Sequence, residues 1–237
     1  MTEIKTVVIL PTLNERDNLQ KILPRIIEIS EVTFVIIVDD NSLDGSQEYF
    51  NTITSSKLHV INRPTRLGIG SAHIDGLTYA INLDIDLVIT MDADGTHSIN
   101  DLIKMIKAPI DSDVLVGSRY LSGGEIVDWS IFRSTLTRIG HFATFLLFNS
   151  SIDMSSGLRR YRSHKIPLER FKINCPSDYS FFFTSLLVCK DEGLKIGQMP
   201  ITLSNRMHGS SKMDFVQIKK GLTSLFLFGL RIKRLKK

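Results

Sequence analysis

Residues 86–94 read DLVITMDAD, an apolar run that ends in two aspartates separated by one alanine. Val and Ile dominate the run, which is typical of a strand buried in a parallel sheet. Ligands of such sheets bind beyond the carboxyl ends of the strands, so Asp92 and Asp94 are expected at a ligand-binding edge. Two carboxylates at this spacing can face one phosphate through a divalent cation, and their oxygens suit Mg²⁺ or Mn²⁺. The alternative is that they cap the helix predicted to begin near Ser98.

Outward from this segment, strands and helices are predicted to alternate. Further apolar runs occur at residues 6–10, 33–38, 58–61 and 113–117, and helical patterns lie between the runs at residues 17–29, 46–53, 69–83 and 99–107. The order βαβαβαβαβ predicts an α/β fold, in which a mostly parallel sheet carries helices on both faces. After residue 118 we predict a helix at 131–148, a strand at 157–161, a helix at 179–191, a strand at 194–203 and a helix at 215–230. No linker separates the halves, so the 237 residues are expected to form a single domain.

The composition is that of a folded protein, with 43% hydrophobic and 23% charged residues. The two cysteines, Cys175 and Cys189, are too few for a disulfide framework and indicate reduced thiols in the cytosol. The N-terminal stretch lacks the features of a secretory signal, which also favours the cytosol. Apolar stretches at 139–148, 180–189 and 221–230 each fall short of the roughly 20 residues that a membrane-crossing helix needs.

Positive charge is concentrated at the end of the chain. The net charge is +4, and the apolar stretch 221–230 is followed directly by Arg231, Lys233, Arg234, Lys236 and Lys237. This arrangement suits an anionic membrane surface, and we expect peripheral attachment through residues 221–237. The alternative is a solvated basic tail. We expect no nucleic-acid partner.

Two other predicted strands also end in polar residues. PTLNE at 11–15 follows the first run and DDNS at 39–42 follows the second, so three acidic strand ends converge on one cleft. Either Asp39 or Asp40 could accept hydrogen bonds from a base or a ribose hydroxyl, and we choose Asp40 as the nucleoside contact. RLGIG at 66–70 is similar to part of a phosphate-binding loop, but His73 replaces its third glycine. The alternative is a tight turn before a helix whose N-terminus still favours a nearby anion.

Basic residues in the second half complete the charge pattern. Arg119 follows the fifth run, Arg133 begins the predicted long helix, and Arg206 and Lys212 lie in a polar loop. Any one of them could be a surface charge. Together with a metal ion, they supply the positive charge that holds a pyrophosphate leaving group and a second, incoming phosphate.

These residues resemble the family-2 glycosyltransferases of the GT-A fold, and within them the dolichol-phosphate mannose synthase branch. The similarity covers nearly the whole chain. It rests on PTLNE at 11–15, VDDNS at 38–42, RLGIG at 66–70, DAD at 92–94 with His97, GSRY at 117–120, GG at 123–124, SGLR at 156–159, PI at 200–201 with Arg206, and GSSKM at 209–213. The Arg119-Tyr120 loop, Arg133 and residues 211–212 point to the polyprenol-phosphate branch.

The resemblance implies a Rossmann-like single domain, residues 1–237, and a role for each site residue. Residues 1–118 would form the nucleotide-sugar-binding half, 119–220 the acceptor half and 221–237 the membrane-associating segment. The implied nucleoside contacts are Pro11, Leu13, Glu15, Val38 and Asp40, and the diphosphate contacts are Asp92, Ala93 and Asp94. Asp94 is the implied principal ligand of Mg²⁺ or Mn²⁺, with Asp92 and Thr96 beside it. The implied acceptor-phosphate contacts are Arg119, Arg133 and Thr137, whereas Arg206 and Lys212 would close over the donor diphosphate.

The sequence departs from the family pattern at several of these positions. Leu13 stands where the family usually has Tyr, so a stacking contact with the base is lost. Thr96 replaces the more familiar Gln or Ser, and Ser98 replaces Pro. Thr137 replaces a common Ser and keeps the hydroxyl group.

The implied reaction is an inverting transfer of mannose from GDP-mannose to polyprenyl (dolichyl-type) phosphate at the cytosolic face of a membrane, with Asp94, Arg119 and Arg133 as catalytic residues. A phosphate monoester has its second pKa near about 6, so the acceptor is already largely dianionic and requires no strong base. Other readings within the family are a donor of the UDP-glucose type or a saccharide acceptor. A non-catalytic nucleotide-binding subunit is the alternative from another class. Small membrane-anchoring subunits are further partners that the resemblance implies.

Overall fold

A computed structural model describes residues 4–129, 131–148 and 150–206 of the chain. Its strands are β1 (Thr6–Thr12), β2 (Val32–Asp39), β3 (Leu58–Asn62), β4 (Leu87–Thr90), β5 (Val114–Ser118), β6 (Glu125–Ile126), β7 (Arg159–Arg162), β8 (Ile196–Pro200) and β9 (Thr202–Leu203). Its α-helices are α1 (Arg16–Ile27), α2 (Ser46–Thr52), α3 (Ile69–Ile81), α4 (Ile99–Lys107), α5 (Ile131–Phe148), α6 (Leu168–Asn174) and α7 (Phe181–Asp191). The predicted bounds of α4 and α5 are confirmed to the residue, whereas α6 was not predicted.

The main sheet contains seven of these strands in the order β3-β2-β1-β4-β7-β5-β8. β1 pairs in parallel with both β2 and β4, and β2 pairs in parallel with β3. These four strands therefore end at one edge of the sheet, as the apolar runs predict. The prediction of an α/β fold with a mostly parallel sheet is confirmed.

Two apolar layers cover the sheet, one on each face. Along β1, Val7 and Ile9 face the layer that contains α3 and α7. Val8 and Leu10 face the opposite layer, which contains α1 and α4. This alternation follows from the two-residue period of a strand and explains why β1 is apolar throughout.

A simple alternation of parallel strands and helices would place the fifth strand beside the fourth. In the structure these two strands are not neighbours. β7 lies between β4 and β5 and runs antiparallel to both. Arg159 in β7 is buried and donates hydrogen bonds to the backbone oxygens of Met154, Ser156 and Phe182. An arginine is unexpected in an interior strand. Here the carbonyl oxygens accept hydrogen bonds from its guanidinium, so the buried group is satisfied.

The predicted strand at 194–203 is divided into β8 and β9. β8 pairs with β5, and β9 pairs with β6 in a separate two-stranded sheet. The backbone N–H of Ile201, between them, still donates to the oxygen of Ser118 at the end of β5, so the chain leaves the main sheet only after Ile201. The predicted helix at 215–230, Lys212 and the basic tail lie outside the described residues. In the ranges that the structure describes, no helix has both the length and the apolar character to cross a membrane.

Candidate active site

A cavity of about 510 Å³ opens at the carboxyl ends of β1, β2 and β4. Most of the residues predicted for the donor line it, namely Pro11, Leu13, Glu15, Asp40, Asp92, Ala93, Asp94 and Arg206. Val38 does not, because its side chain is buried in the apolar layer beneath α3. Three acidic strand ends therefore do meet in one cleft, as the sequence predicts.

Asp92 and Asp94 both follow β4, and each has a defined partner. Oδ1 of Asp94 accepts hydrogen bonds from the backbone N–H of Thr96 (3.0 Å) and from its hydroxyl (2.7 Å). Oδ2 of Asp92 lies 3.4 Å from Nε2 of His97. Gly157 closes over the Asp92 carboxylate so tightly that a methyl group there would lie 2.6 Å from Oδ1. Both carboxylates are thus held in place by the surrounding chain.

The two carboxyl groups differ in acidity. Burial and the charge of Asp92 raise the pKa of Asp94 above its ordinary value. Burial also acts to raise the pKa of Asp92, but the close approach of the His97 ring outweighs it, so the pKa of Asp92 is lowered. The charge of Asp92 thus disfavours ionisation of Asp94, and a cation bound beside both carboxylates would offset this effect.

The side chains that the structure describes supply only some of the ligands that a divalent cation needs. Within the described ranges, no group of three or more His, Cys, Asp or Glu side chains could hold a metal ion. Asp92 and Asp94 supply two hard oxygen donors on the wall of the cavity, and oxygens of a bound diphosphate would complete the coordination. The hydroxyl of Thr96 is directed at Asp94 and lies outside the cavity lining, so in this structure Thr96 orients that carboxylate.

Arg206 crosses the cavity between two strand ends. Its Nη1 lies 3.0 Å from Oε1 of Glu15, which follows β1, and its Nε lies 3.1 Å from Oδ2 of Asp94. The resemblance implies that Arg206 closes over a diphosphate, and the structure places it at the acidic end of the cavity, between Glu15 and Asp94.

Asp40 holds a loop in place. Its Oδ1 and Oδ2 accept hydrogen bonds from the backbone N–H groups of Leu67 (2.7 Å) and Gly68 (2.8 Å). Nη1 of Arg63 lies 3.0 Å from Oδ1, and both side chains are buried. The carboxylate predicted to contact the nucleoside therefore also anchors the loop that precedes α3.

The glycines of RLGIG allow this segment to approach the backbone of residues 176–178 closely. The N–H of Gly70 donates to the oxygen of Ser177 (2.7 Å), and a methyl group on Gly70 would lie 2.2 Å from the oxygen of Pro176. Because Asp40 and Ser177 occupy the amide groups at the start of α3, the tight-turn alternative describes this segment better than a phosphate-binding loop does.

Sequence reasoning missed the wall of the cavity formed by Ser177, Asp178 and Tyr179. This segment precedes α7 and does not follow a parallel strand, so strand-end logic gives no reason to inspect it. Burial and the nearby charge of Asp92 raise the pKa of Tyr179 to about 12, so its hydroxyl remains a hydrogen-bond donor at neutral pH. Arg66 and Leu67 of the RLGIG segment also line the cavity, although the sequence analysis assigned neither of them a contact.

Arg119 lies outside the cavity lining, in a buried ion pair with Asp153. Its Nε is 2.7 Å from Oδ2 and its Nη2 is 2.6 Å from Oδ1 of that carboxylate. The ion pair outweighs burial for both groups, so the pKa of Arg119 is raised and the pKa of Asp153 is lowered. Nothing in the sequence around Arg119 pointed to Asp153, which lies 34 residues further along.

The residues implied for the acceptor phosphate collect around α5. The guanidinium of Arg119 lies over the ring of Tyr120, 5.3 Å from its centroid, and Tyr120 stacks on His141 at 3.9 Å. The hydroxyl of Tyr120 donates to the backbone oxygen of Thr137 (3.3 Å). Arg133 lies in the first turn of α5, and its side chain is outside the described part of the structure. Tyr120 thus links Arg119 to the backbone of α5 at Thr137, and neither Arg119 nor Thr137 lines the donor cavity.

Two known proteins are similar to this chain over most of its length. A polyprenol monophosphomannose synthase of Mycolicibacterium smegmatis is 29% identical over 234 residues, which are 96% of this chain and 88% of that protein. An undecaprenyl-phosphate mannosyltransferase of Micrococcus luteus is 27% identical over 230 residues, 96% of this chain and 95% of that protein.

Solved structures share the fold. Glucosyl-3-phosphoglycerate synthase from Mycobacterium tuberculosis, in complex with Mn²⁺, UDP-glucose and phosphoglyceric acid, gives a TM-score of 0.68 at 18% identity, over 95% of this chain and 80% of that chain. The same enzyme in complex with Mg²⁺ and UDP gives 0.64 at 17% identity, over 94% and 78%. The family model described as glycosyl transferase family 2 matches residues 7–166. Because this match spans more than half of the sequence, the chain belongs to glycosyl transferase family 2.

Proposed function

We propose that this chain transfers a sugar, with mannose from GDP-mannose as the expected donor, to the phosphate of a polyprenyl lipid with inversion at the anomeric carbon. The observation that carries the proposal is that Asp92, Asp94 and Arg206 meet in one cavity at the ends of parallel strands. The names of the two mannosyltransferase relatives supply the acceptor class and the sugar.

The donor diphosphate is proposed to bind at the acidic end of the cavity. Asp92 and Asp94 would hold Mg²⁺ or Mn²⁺ there, and the cation would neutralise the departing diphosphate. Structural neighbours that contain Mn²⁺ with UDP-glucose, or Mg²⁺ with UDP, support this choice of cofactor. When a diphosphate binds, the guanidinium of Arg206 can exchange one carboxylate contact for a phosphate oxygen without leaving the cavity.

The acceptor phosphate is proposed to approach from the side of α5. Arg119, Arg133 and Thr137 would bind it, and Lys212 would join Arg206 at the donor diphosphate. A phosphate monoester is largely dianionic at neutral pH, since its second pKa is about 6, so it can attack the sugar without a general base. The chain's contribution is then to bring two anionic groups together and to exclude water from them.

Contact with a membrane is proposed to involve α5 as well as residues 221–237. Five large apolar side chains of α5 are exposed, namely Ile131, Ile139, Phe142, Phe145 and Leu146. At 3.6 residues per turn, these five positions fall within about 120° of the helix circumference, while Thr144 is buried on another side. Since His141 on α5 stacks on Tyr120, an apolar surface and the proposed acceptor site share this helix.

A transfer assay tests the proposal directly. The purified chain is incubated with Mg²⁺ or Mn²⁺, polyprenyl phosphate and a panel of radiolabelled nucleotide sugars, and the lipid product is identified by mass spectrometry. We expect a mannosyl lipid from GDP-mannose, and loss of turnover by at least about a hundredfold in Asp94→Ala. The exposed Asp84→Ala serves as the control. Transfer to a soluble saccharide alone, or unchanged activity of Asp94→Ala, would refute the proposal.

A further inference from the structure

We propose that Leu67, together with Leu13, holds the base of the donor nucleotide by apolar contact, and that Asp40 acts on the base mainly by fixing Leu67 in position. This inference rests on the proposed function, because it assumes a nucleoside diphosphate in the cavity. It assigns part of the binding of the base to a residue that strand-end reasoning does not reach.

The topology of the sheet separates the two ends of the cavity. β2 and β4 flank β1 on opposite sides, and adjacent strands lie about 4.8 Å apart, so the ends of β2 and β4 are roughly 10 Å apart. Asp92 and Asp94 follow β4, whereas Asp40 follows β2 and holds the loop of Leu67. A nucleoside diphosphate whose phosphates lie at the β4 end therefore extends its base toward Leu67.

The loop that carries Leu67 is rigid. Asp40 accepts hydrogen bonds from two successive N–H groups, those of Leu67 and Gly68. The backbone oxygen of Leu67 accepts from the hydroxyl of Ser71 (3.0 Å), and the oxygen of Gly68 accepts from Nη1 of Arg63 (3.2 Å). With both peptide groups held, the backbone from which the Leu67 side chain projects is set before any ligand arrives.

The side chain of Leu67 is 52% exposed although it lines the cavity. Pro11, Leu13 and Ile69 line the same cavity and give it an apolar portion, which suits the face of a planar base. Leu43 provides the contrast, since it is 87% exposed and does not line the cavity. Asp40, whose oxygens are already engaged by the loop and by Arg63, has little capacity left for the edge of a base.

Equilibrium binding of defined probes tests this role. The affinities of the full chain, Leu67→Ala, Leu67→Met and Leu43→Ala are measured by calorimetry for GDP, UDP and inorganic pyrophosphate, each with Mg²⁺. We expect Leu67→Ala to bind both nucleotides about fivefold to tenfold more weakly. The reason is that the bound base would no longer bury the apolar surface of roughly half of a leucine side chain. Pyrophosphate binding should be unchanged, Leu67→Met should recover most of the affinity, and Leu43→Ala should match the unmodified chain.

Two results would overturn the role of Leu67. One is nucleotide binding by Leu67→Ala that equals the unmodified chain, and the other is an equal loss for pyrophosphate, which would mean that the loop and not the base contact was changed. An unmodified chain that binds neither GDP nor UDP would instead refute the proposed function itself.

Discussion

The guanidinium of Arg119 and the carboxylate of Asp153 form a buried bidentate ion pair, and the backbone N–H of Arg119 donates to the same carboxylate. Asp153 is fully buried, so all of its charge is balanced by groups of the chain. This pair fixes the start of the segment that leads from β5 to α5, and with it the side chain implied to meet the acceptor phosphate.

Replacing Asp153 should therefore be costly. In Asp153→Asn, Arg119 would remain buried without its partner, and we expect a loss of about 3–5 kcal/mol in the free energy of unfolding. Urea unfolding measures this loss. The control is Asp191→Asn, which removes the exposed partner of Arg170 and should cost less than about 1 kcal/mol. Equal and small effects of the two changes would show that the buried pair is not stabilising.

Gly157 should be required for the donor site more than for the fold. A methyl group at this position would lie 2.6–2.7 Å from the two carboxylate oxygens of Asp92, which must then turn away. We expect Gly157→Ala to remain folded but to bind Mn²⁺ with a nucleoside diphosphate at least about tenfold more weakly, as titration calorimetry would measure.

Gly140 on α5 offers the matched control. Among the atoms that the structure describes, and leaving aside the backbone of α5 itself and the residues next to Gly140, none lies within 4 Å of the position that a methyl group would take there. Gly140→Ala should stabilise the helix by up to about 1 kcal/mol and leave nucleotide binding unchanged. If both alanine variants bound nucleotide equally well, the close contact between Gly157 and Asp92 would not be required for nucleotide binding.

The buried His73 should make the stability of the chain depend on pH. Its ring lies between Phe181 and Phe182, at centroid distances of 5.0 and 5.2 Å, and burial lowers its pKa to about 4 from an ordinary value of 6.5. Between these pH values the unfolded chain binds the proton more readily than the folded chain. Above about pH 6.5 the proton uptake of His73 does not affect the free energy of unfolding. As the pH drops toward 4, it lowers the free energy of unfolding by about 3 kcal/mol.

Urea unfolding at pH 7 and pH 4.5 tests this linkage. His73→Leu, which cannot be protonated, should lose less stability on acidification than the unmodified chain. His164→Gln, at an exposed position, should show the same pH dependence as the unmodified chain. Identical pH dependence of all three proteins would mean that His73 is not buried in its neutral form.

The parts of the site that sequence reasoning could predict are those that follow parallel strands. Apolar runs mark β1, β2 and β4, and the polar residues after them, including Asp94, must lie at one edge. The rest depends on contacts that no local pattern encodes. Asp153 is joined to Arg119 only by folding, and Tyr179 reaches the cavity because the chain before α7 packs against Gly68 and Gly70. The position of β7 in the sheet could not be predicted for a similar reason, because its arginines bind carbonyl groups that are distant in the sequence.

The exposed apolar side of α5 should bind membranes. Ile139 and Phe142 lie about one turn apart on this helix, and both are largely exposed. In the double variant Ile139→Ser with Phe142→Ser, the area that can be buried among lipids is reduced, so partition onto vesicles of phosphatidylcholine and phosphatidylglycerol should fall at least about tenfold in a sedimentation assay. Ile173→Ser is the control, because Ile173 is even more exposed than Ile139 and Phe142 but lies on α6.

A chain that ends at residue 220 separates the two proposed membrane contacts. If α5 and residues 221–237 both contribute, each change alone should weaken vesicle binding and the combination should weaken it further, because the buried areas add. Salt should affect the two differently, since the basic tail acts through charge that salt screens, whereas the apolar side of α5 does not. Full vesicle binding by the α5 double variant, with complete loss on truncation, would assign attachment to the tail alone and remove α5 from the membrane surface.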